Sequence, residues 1–282
     1  MKSEIKLTIL IFYILLLGVF SFLPFYINDN IFLGQTEVYF FDVGQGDSSL
    51  IVTPNKHYIL IDGGPDNAVV YKLGRYLPFF QRKIDLVIIT HPHDDHLIGL
   101  IAVLNRYDVK MILMPDAKCL TATCIELERI IKEKNIKIQW ADYRGVMNWD
   151  KDLNFEVFLP DGRQESEKNL NNYSVVGRLA IENKSFLFMG DQEKEELLIG
   201  ENIEANVIKA GHHGSANAND CKFLSNVKPE YAVISVGQDN KFGHPQLKTI
   251  ECLNDLNIKI LRTDFLGDIH FSIDENSLML DN

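Results

Sequence analysis

Within the six residues HPHDDH, His91, His93, Asp95 and His96 bring three imidazoles and a carboxylate together, directly after the apolar run Leu86 to Ile89. Neutral histidine nitrogens and aspartate oxygens are the usual non-thiolate ligands of zinc and similar divalent ions, so this spacing suits a metal cage. A polar turn that caps a helix, with Asp94 or Asp95 as the cap, is the plainer alternative. Capping employs one aspartate and leaves three histidines without a role, so the metal reading is preferred.

The cluster needs elements to hold it. The preceding run is rich in β-branched residues and reads as a buried strand, and Leu97 to Leu104 has helical spacing. HPHDDH therefore lies in a strand-to-helix loop. A helix beginning near Asp95 carries Asp95 and His96 in its first turn and leaves His91 and His93 in the loop, which aims two ligand pairs at neighbouring points. Elsewhere the pattern predicts strands near Val38 to Val43, Leu50 to Thr53, Tyr58 to Asp62, Lys110 to Met114, Lys137 to Trp140, Phe155 to Leu159 and Ser174 to Ile181. Further strands are expected near Ser185 to Met189, Asn206 to Lys209, Tyr231 to Ser235, Lys259 to Leu261 and Ile269 to Ile273. Helices are expected near Ala68 to Phe79, Ile125 to Glu133, Lys194 to Ile199, Cys221 to Val227 and Gln246 to Leu256. That order fits two mostly antiparallel sheets covered by helices.

HPHDDH resembles the HxHxDH motif of the metallo-β-lactamase fold superfamily. FDVGQGDSSLI from Phe40, IDGG from Ile61, NNYSVVGRL from Asn171, FLFMGDQ from Phe186, VIKAGHHGS from Val207 and FGHP from Phe242 are similar to one branch of it, the hydrolase domain of ComEC-type DNA-uptake proteins. The likeness runs from about Glu37 to about Ile273. It implies an α/β (α+β) fold, a four-layer αββα sandwich, holding one or two divalent metal ions, zinc or manganese, between two sheets. It also implies that Asp191 bridges the metals, whereas an aspartate after glycine, taken alone, is a turn residue.

The family closes its second metal with one late histidine, and this chain offers two loops. His212 and His244 are expected to reach the metals, with His213 and Ser215 facing substrate or standing behind the ligands. Asn240 lies on the loop that leads to His244. Gly44, Gly46, Gly63 and Gly64 are expected to take positive φ, bringing Asp42, Gln45, Asp47 and Asp62 close enough to orient the ligand rings. One departure stands out: no histidine lies between His96 and His212. The corresponding strand end reads Phe158, Leu159, Pro160, Asp161, so Asp161, Asn171, Asn172 or a water would have to substitute. The mechanism implied is hydrolysis by metal-activated water, with Asp95 and Asp191 orienting it and His213 or His244 meeting the developing charge.

Composition is that of a globular protein, with 282 residues, 46% hydrophobic and 24% charged, and no linker or repeat, so one catalytic domain over 31–282 is expected. Residues 1–30 differ in kind. No residue from Leu7 to Asn28 is charged, a run long enough for a transmembrane helix, with Lys2 and Lys6 before it and Asp29 after it. An uncleaved anchor with the domain outside the cytoplasm is expected, and a secreted protein if the segment is a cleaved signal. Cys119 and Cys124 suit a bridge or free thiols, and Cys221 and Cys252 look isolated.

The substrate expected from the resemblance is a phosphodiester, single-stranded DNA first, with a choline-phosphate-type or other small ester as the alternative. A catalytically weak, membrane-tethered binding protein is the reading of another class. A net charge of −11 argues against broad duplex binding, which needs Lys and Arg against phosphates. The sequence shows no protein partner, though a separate uptake channel is compatible with it.

Overall fold

A computed structural model describes residues 8–18, 34–141, 144–150, 153–160, 169–274 and 277–281. The chain divides into two units, Met1–Gln35 and Thr36–Asn282. In the first, a helix α1 spans 8–18. Among the described residues no helix is long and apolar enough to cross a membrane, and most of the expected anchor lies outside them.

The second unit opens with β1 (Thr36–Phe40), β2 (Ser49–Val52) and β3 (Tyr58–Ile61), then α2 (Ala68–Tyr76), β4 (Lys83–Ile84), β5 (Leu86–Ile88), α3 (Asp94–Arg106), β6 (Asp108–Val109) and β7 (Met111–Met114). It continues with α4 (Ala122–Glu133), β8 (Lys137–Trp140), β9 (Gly145–Asp150), β10 (Leu153–Leu159), β11 (Val176–Ile181), β12 (Lys184–Phe188) and β13 (Val207–Lys209). The last elements are α5 (Cys221–Val227), β14 (Tyr231–Ile234), α6 (Leu247–Asp255), β15 (Lys259–Arg262), α7 (Thr263–Leu266), β16 (Ile269–Ile273) and β17 (Leu278–Leu280).

One large sheet has the order β17-β16-β1-β2-β3-β5-β7-β8 and a second β15-β14-β13-β12-β11-β10-β9, while β4 and β6 pair as a small ribbon. The expectation of mostly antiparallel sheets is corrected here. Hairpin neighbours such as β1 and β2 are antiparallel, but β3, β5, β7 and β8 run parallel, as do β12 through β15. The segments between those strands are the crossovers that parallel pairing requires, helical in each case except between β12 and β13.

Side-chain alternation builds the layers. Val38 and Phe40 of β1 point inward with Ile59, Ile88, Phe155, Leu179, Phe186 and Val233, which makes a core between the sheets. Tyr39 and Phe41 point the other way, into a core with Leu73 of α2, Leu97 and Leu100 of α3 and Leu127 of α4. Leu187, Ile208 and Ile234 meet Leu224 of α5 and Leu253 of α6 on the far side. The result is helix, sheet, sheet, helix. Lys194 to Ile199, expected as a helix, is only a short 3-10 turn over Glu195–Leu198. Disulfides join Cys119 to Cys124 and Cys221 to Cys252, the second tying α5 to α6, so the isolated appearance of the latter pair was an effect of sequence distance.

Candidate metal centre

HPHDDH follows β5 and enters α3, whose first residues are Asp94 and Asp95. His93 is the N-cap, in extended conformation, and no side chain caps the helix. The capping alternative therefore fails, because both aspartates already lie in the first turn, where the helix dipole favours their charge. Two glycine-bearing loops press on this turn. The N–H of Asp47 donates to the carbonyl of Asp95 (3.3 Å) and that of Gly63 to the carbonyl of His96 (2.8 Å). A Cβ on Gly46 would sit 2.2 Å from the Asp95 carbonyl oxygen, so only glycine allows that approach. Of the four glycines, Gly63 does not take the positive φ expected of it; it too serves close packing, against Leu100.

Asp191 occupies the centre. It follows Gly190 after β12, is 2% exposed, and its N–H donates to Ser174 Oγ (3.0 Å). Its Oδ1 lies 3.5 Å from His96 Nε2, while its Oδ2 lies 3.8 Å from His91 Nε2, 3.8 Å from His212 Nε2 and 3.6 Å from His213 Nε2. One carboxylate thus faces four imidazoles from two other segments of chain. Asp95 Oδ2 is 3.3 Å from His213 Nε2, and ligand atoms of Asp95, His96, Asp191 and His213 all lie within 4.8 Å of one another.

These atoms fit a divalent ion on more than proximity. His96 Nε2, Asp191 Oδ1 and His213 Nε2 are buried with no hydrogen-bond partner, a costly state for polar atoms unless a cation satisfies them. Each ring is also fixed from behind. His96 Nδ1 lies 2.8 Å from Asp62 Oδ2, and Asp62 accepts from the N–H and Oγ1 of Thr90. His213 Nδ1 lies 3.0 Å from the Ser235 carbonyl and 3.2 Å from Asp47 Oδ1, and Asp47 is paired at 2.5 Å with buried Lys209. Such contacts select the tautomer that leaves Nε2 free for a metal.

A second group lies beside the first around Asp191 Oδ2. His91 Nε2 and His93 Nδ1 are 3.0 Å apart, and His212 presents Nε2 while its Nδ1 lies 2.8 Å from Glu193 Oε1. His212 thus stands where the missing middle histidine left a question. Asn171 Nδ2 lies 3.4 Å from His212 Nδ1, Asn172 Oδ1 accepts from the N–H of Glu193, and Asp161 lies outside the described residues.

Several placements differ from expectation. His213, expected to face substrate or stand behind the ligands, lies inside the four-residue cluster. His244, expected at the metals, forms a further layer, its ring 5.4 Å from that of His212 and 6.4 Å from that of His213. Asp42 accepts from the N–H of Gly44 in its own turn, and Gln45 Oε1 accepts from the N–H of Gly237. Ser215 Oγ accepts from the N–H of Asn217 and is buried, so it does not face substrate. Asn240 braces the His244 turn, accepting from the His244 N–H (3.0 Å) and donating to its carbonyl (2.7 Å). Spacing could not order the two adjacent histidines because both have left-handed backbone, with φ of 44° and 51°. Left-handed φ costs an ordinary residue about 1–2 kcal/mol, and the turn is held by the N–H of His212 donating to the Gly190 carbonyl and that of Gly211 to Asn219 Oδ1. Lys209 and Glu193 also contribute, and nothing local in VIKAGHHGS marks its lysine as buried and paired.

The electrostatics are those of a pocket built around positive charge. Burial alone would lower the His96 pKa, but Asp191 and Asp62 outweigh it and hold it well above the ordinary value. Likewise burial opposes, and Asp191 and Asp47 enforce, a rise of His213 to about 10. Burial works against the Asp191 charge, but His213, His96 and His91 hold its pKa well below the usual carboxylate range. Burial, then His96, drives His91 far down. Burial and the neighbouring His212 and His213 lower His244 to about 4, so it stands neutral at pH 7 and can donate a hydrogen bond rather than a proton.

The sequence profile of the Metallo-beta-lactamase superfamily matches residues 41–238. ComE operon protein 3 of Bacillus subtilis (strain 168) is 30% identical over 258 residues, covering 84% of this chain and 33% of that protein. Competence protein ComA of Neisseria gonorrhoeae is 28% identical, covering 92% of this chain and 35% of that one. The chain spans about a third of the length of these curated relatives. Among solved structures, the metallo-β-lactamase fold protein YhfI from Bacillus subtilis superposes with a TM-score of 0.60 at 10% identity over 84% of this chain and 100% of that one. Zn(2+)-bound PqqB from Methylobacterium extorquens superposes with a TM-score of 0.56 at 10% identity over 84% and 99%. A profile match across most of the chain, met independently by the αββα layers and by the histidine and aspartate cluster at their edge, shows that the chain belongs to the metallo-β-lactamase superfamily.

Proposed function

We propose that this chain is a metal-dependent phosphodiesterase that cuts DNA, working outside the cytoplasm with its apolar amino-terminal run as a membrane anchor. The observation that carries the hydrolase reading is the convergence of Asp95, His96, Asp191 and His213 on a shared point, with His96 Nε2, Asp191 Oδ1 and His213 Nε2 buried and otherwise unpaired. His91, His93 and His212 would hold a second ion about Asp191 Oδ2. Divalent ions held there, zinc or manganese by the nitrogen and oxygen donor set, supply Lewis acidity and an acidified water.

The residues of the chain do the rest. Asp191 and Asp95 fix the direction of attack, since the Asp95 side chain is a third exposed at the mouth and its neighbours are buried. His244, whose ring lies 5.4 Å from that of His212 and 6.4 Å from that of His213, is the next imidazole out from the cluster and would meet a phosphate oxygen as charge builds. No serine, threonine or cysteine is aimed at the cluster from HPHDDH or GHHGS, so water is the nucleophile. DNA as the substrate is supported by the competence relatives and by the ComEC-like strings. Two disulfides accord with an extracytoplasmic setting.

The test pairs labelled single-stranded DNA with bis-p-nitrophenyl phosphate, each incubated with the protein and Mn²⁺ or Zn²⁺. Cleavage of DNA that disappears in Asp191→Asn is expected. Intact DNA with cleaved bis-p-nitrophenyl phosphate would replace this reading by a small-ester hydrolase. Purified protein holding far less than one equivalent of ion, with neither substrate cleaved, would leave a binding protein.

A further inference from the structure

Beside the metal cluster, the loop between β14 and α6 presents an aromatic side chain that the catalytic reading does not use. Phe242 is 53% exposed, although a phenyl ring costs free energy in water and this one is only two residues from His244. Its ring lies nearly parallel to that of His244, 13° apart in plane and 6.1 Å between centroids. His244 in turn neighbours His212 and His213. The rings thus step outward from the cluster to the surface, ending in a phenyl ring that is about half exposed. The loop is not slack, since the Asn240 side chain ties both the N–H and the carbonyl of His244. Lys241, also exposed, puts its ammonium 5.3 Å from the Phe242 centroid.

An exposed aromatic next to a cation on a braced loop is the combination that proteins use to hold single-stranded nucleic acid, with bases stacked on the ring and phosphates met by the cation. The opposite approach is unsuited to a polyanion. A cavity of about 550 Å³ is lined by Glu193, Glu195, Glu196, Glu201, Glu204 and Asp220, against Lys222 and Lys248. We propose that Phe242 and Lys241 form a stacking platform that receives a nucleobase of single-stranded nucleic acid adjoining the phosphodiester at the cluster. This rests on the phosphodiesterase reading of the same site. It adds that the substrate is recognised by a flat base in a single strand, where a base is free to stack, rather than by phosphate alone.

The test measures binding of the metal-loaded full chain to two short, cleavage-resistant phosphorothioate oligonucleotides, one of thymidines and one of the same length with base-free sugars. The wild type should bind the thymidine strand about tenfold more tightly. Phe242→Ala should bring both strands to the same affinity, and Phe242→Trp should keep the preference. Lys241→Ala should weaken both and reduce the salt slope by about one unit. Equal binding of the two strands by the wild type, or an equal loss for both in Phe242→Ala, overturns the platform. Cleavage of ordinary linkages is scored separately. Base-dependent binding without cleavage removes the phosphodiesterase reading and keeps the platform, and cleavage without base preference does the reverse.

Discussion

Asp62 shows what a single fully buried carboxylate does behind a histidine ring. It receives two donors from Thr90 and turns its remaining contact to His96 Nδ1, so the ring can only present Nε2 inward. Burial pushes its own carboxyl up, so the proton between the two groups is held tightly. Asp62→Asn should therefore lower metal affinity by about 10–100-fold, read by competition with a chelator; unchanged affinity would remove Asp62 from the site. Lys209 is a different case. It is 3% exposed and pairs with Asp47, whose other oxygen faces His213. Lys209→Met leaves the buried Asp47 charge without its lysine and with only the His213 ring beside it, a loss of about 3–5 kcal/mol in denaturant unfolding. Adding Asp47→Asn should recover part of it.

At the scale of elements, the turn before α5 depends on a buried acid. Glu195 accepts from the N–H groups of Asn219 and Asp220, holding the segment that follows the GHHGS turn. Burial raises its pKa from 4.5 to about 7. A folded-state pKa above the unfolded one lends stability in acid, fully present below about 4.5 and lost as the pH rises through 7. Between pH 5 and 8.5 the wild type should thus lose about 2 kcal/mol relative to Glu195→Gln, as measured by urea unfolding at each pH. A constant difference would show that Glu195 is ionised throughout. α3 shows the same dependence of an element on its neighbours: a Cβ on Gly99 would lie 1.9 Å from the Gly63 carbonyl oxygen, so the helix reaches the IDGG loop only because that position is bare.

For the molecule as a whole, the two halves of the sandwich meet at the cluster, with β5 and α3 supplying one side and the ends of β12 and β13 the other. A ligand that binds only where these converge must stabilise the folded state. At a free ion concentration a thousandfold above the dissociation constant the gain is about 4 kcal/mol. Chelation should lower the melting temperature, Mn²⁺ or Zn²⁺ should restore it, and Asp191→Asn should show little response to either. A melting temperature indifferent to chelator and ion would dispose of the shared centre.

HPHDDH and the strings around Asp191 determined the superfamily and, through that resemblance, the four layers, while the apolar runs determined most strands and helices and the spacing in HPHDDH its candidate ligands, because periods and spacing are local properties of a chain. The order of His212 and His213 was not local. It depends on two left-handed residues that only the packing of Gly190, Asn219 and Ser235 enforces, so tertiary structure alone decided that His213 enters the cluster and that His244 stands one ring behind. The pairing of Lys209 with Asp47 and the parallel halves of both sheets were hidden for the same reason. They join segments far apart in the chain, and no pattern within either segment records its partner.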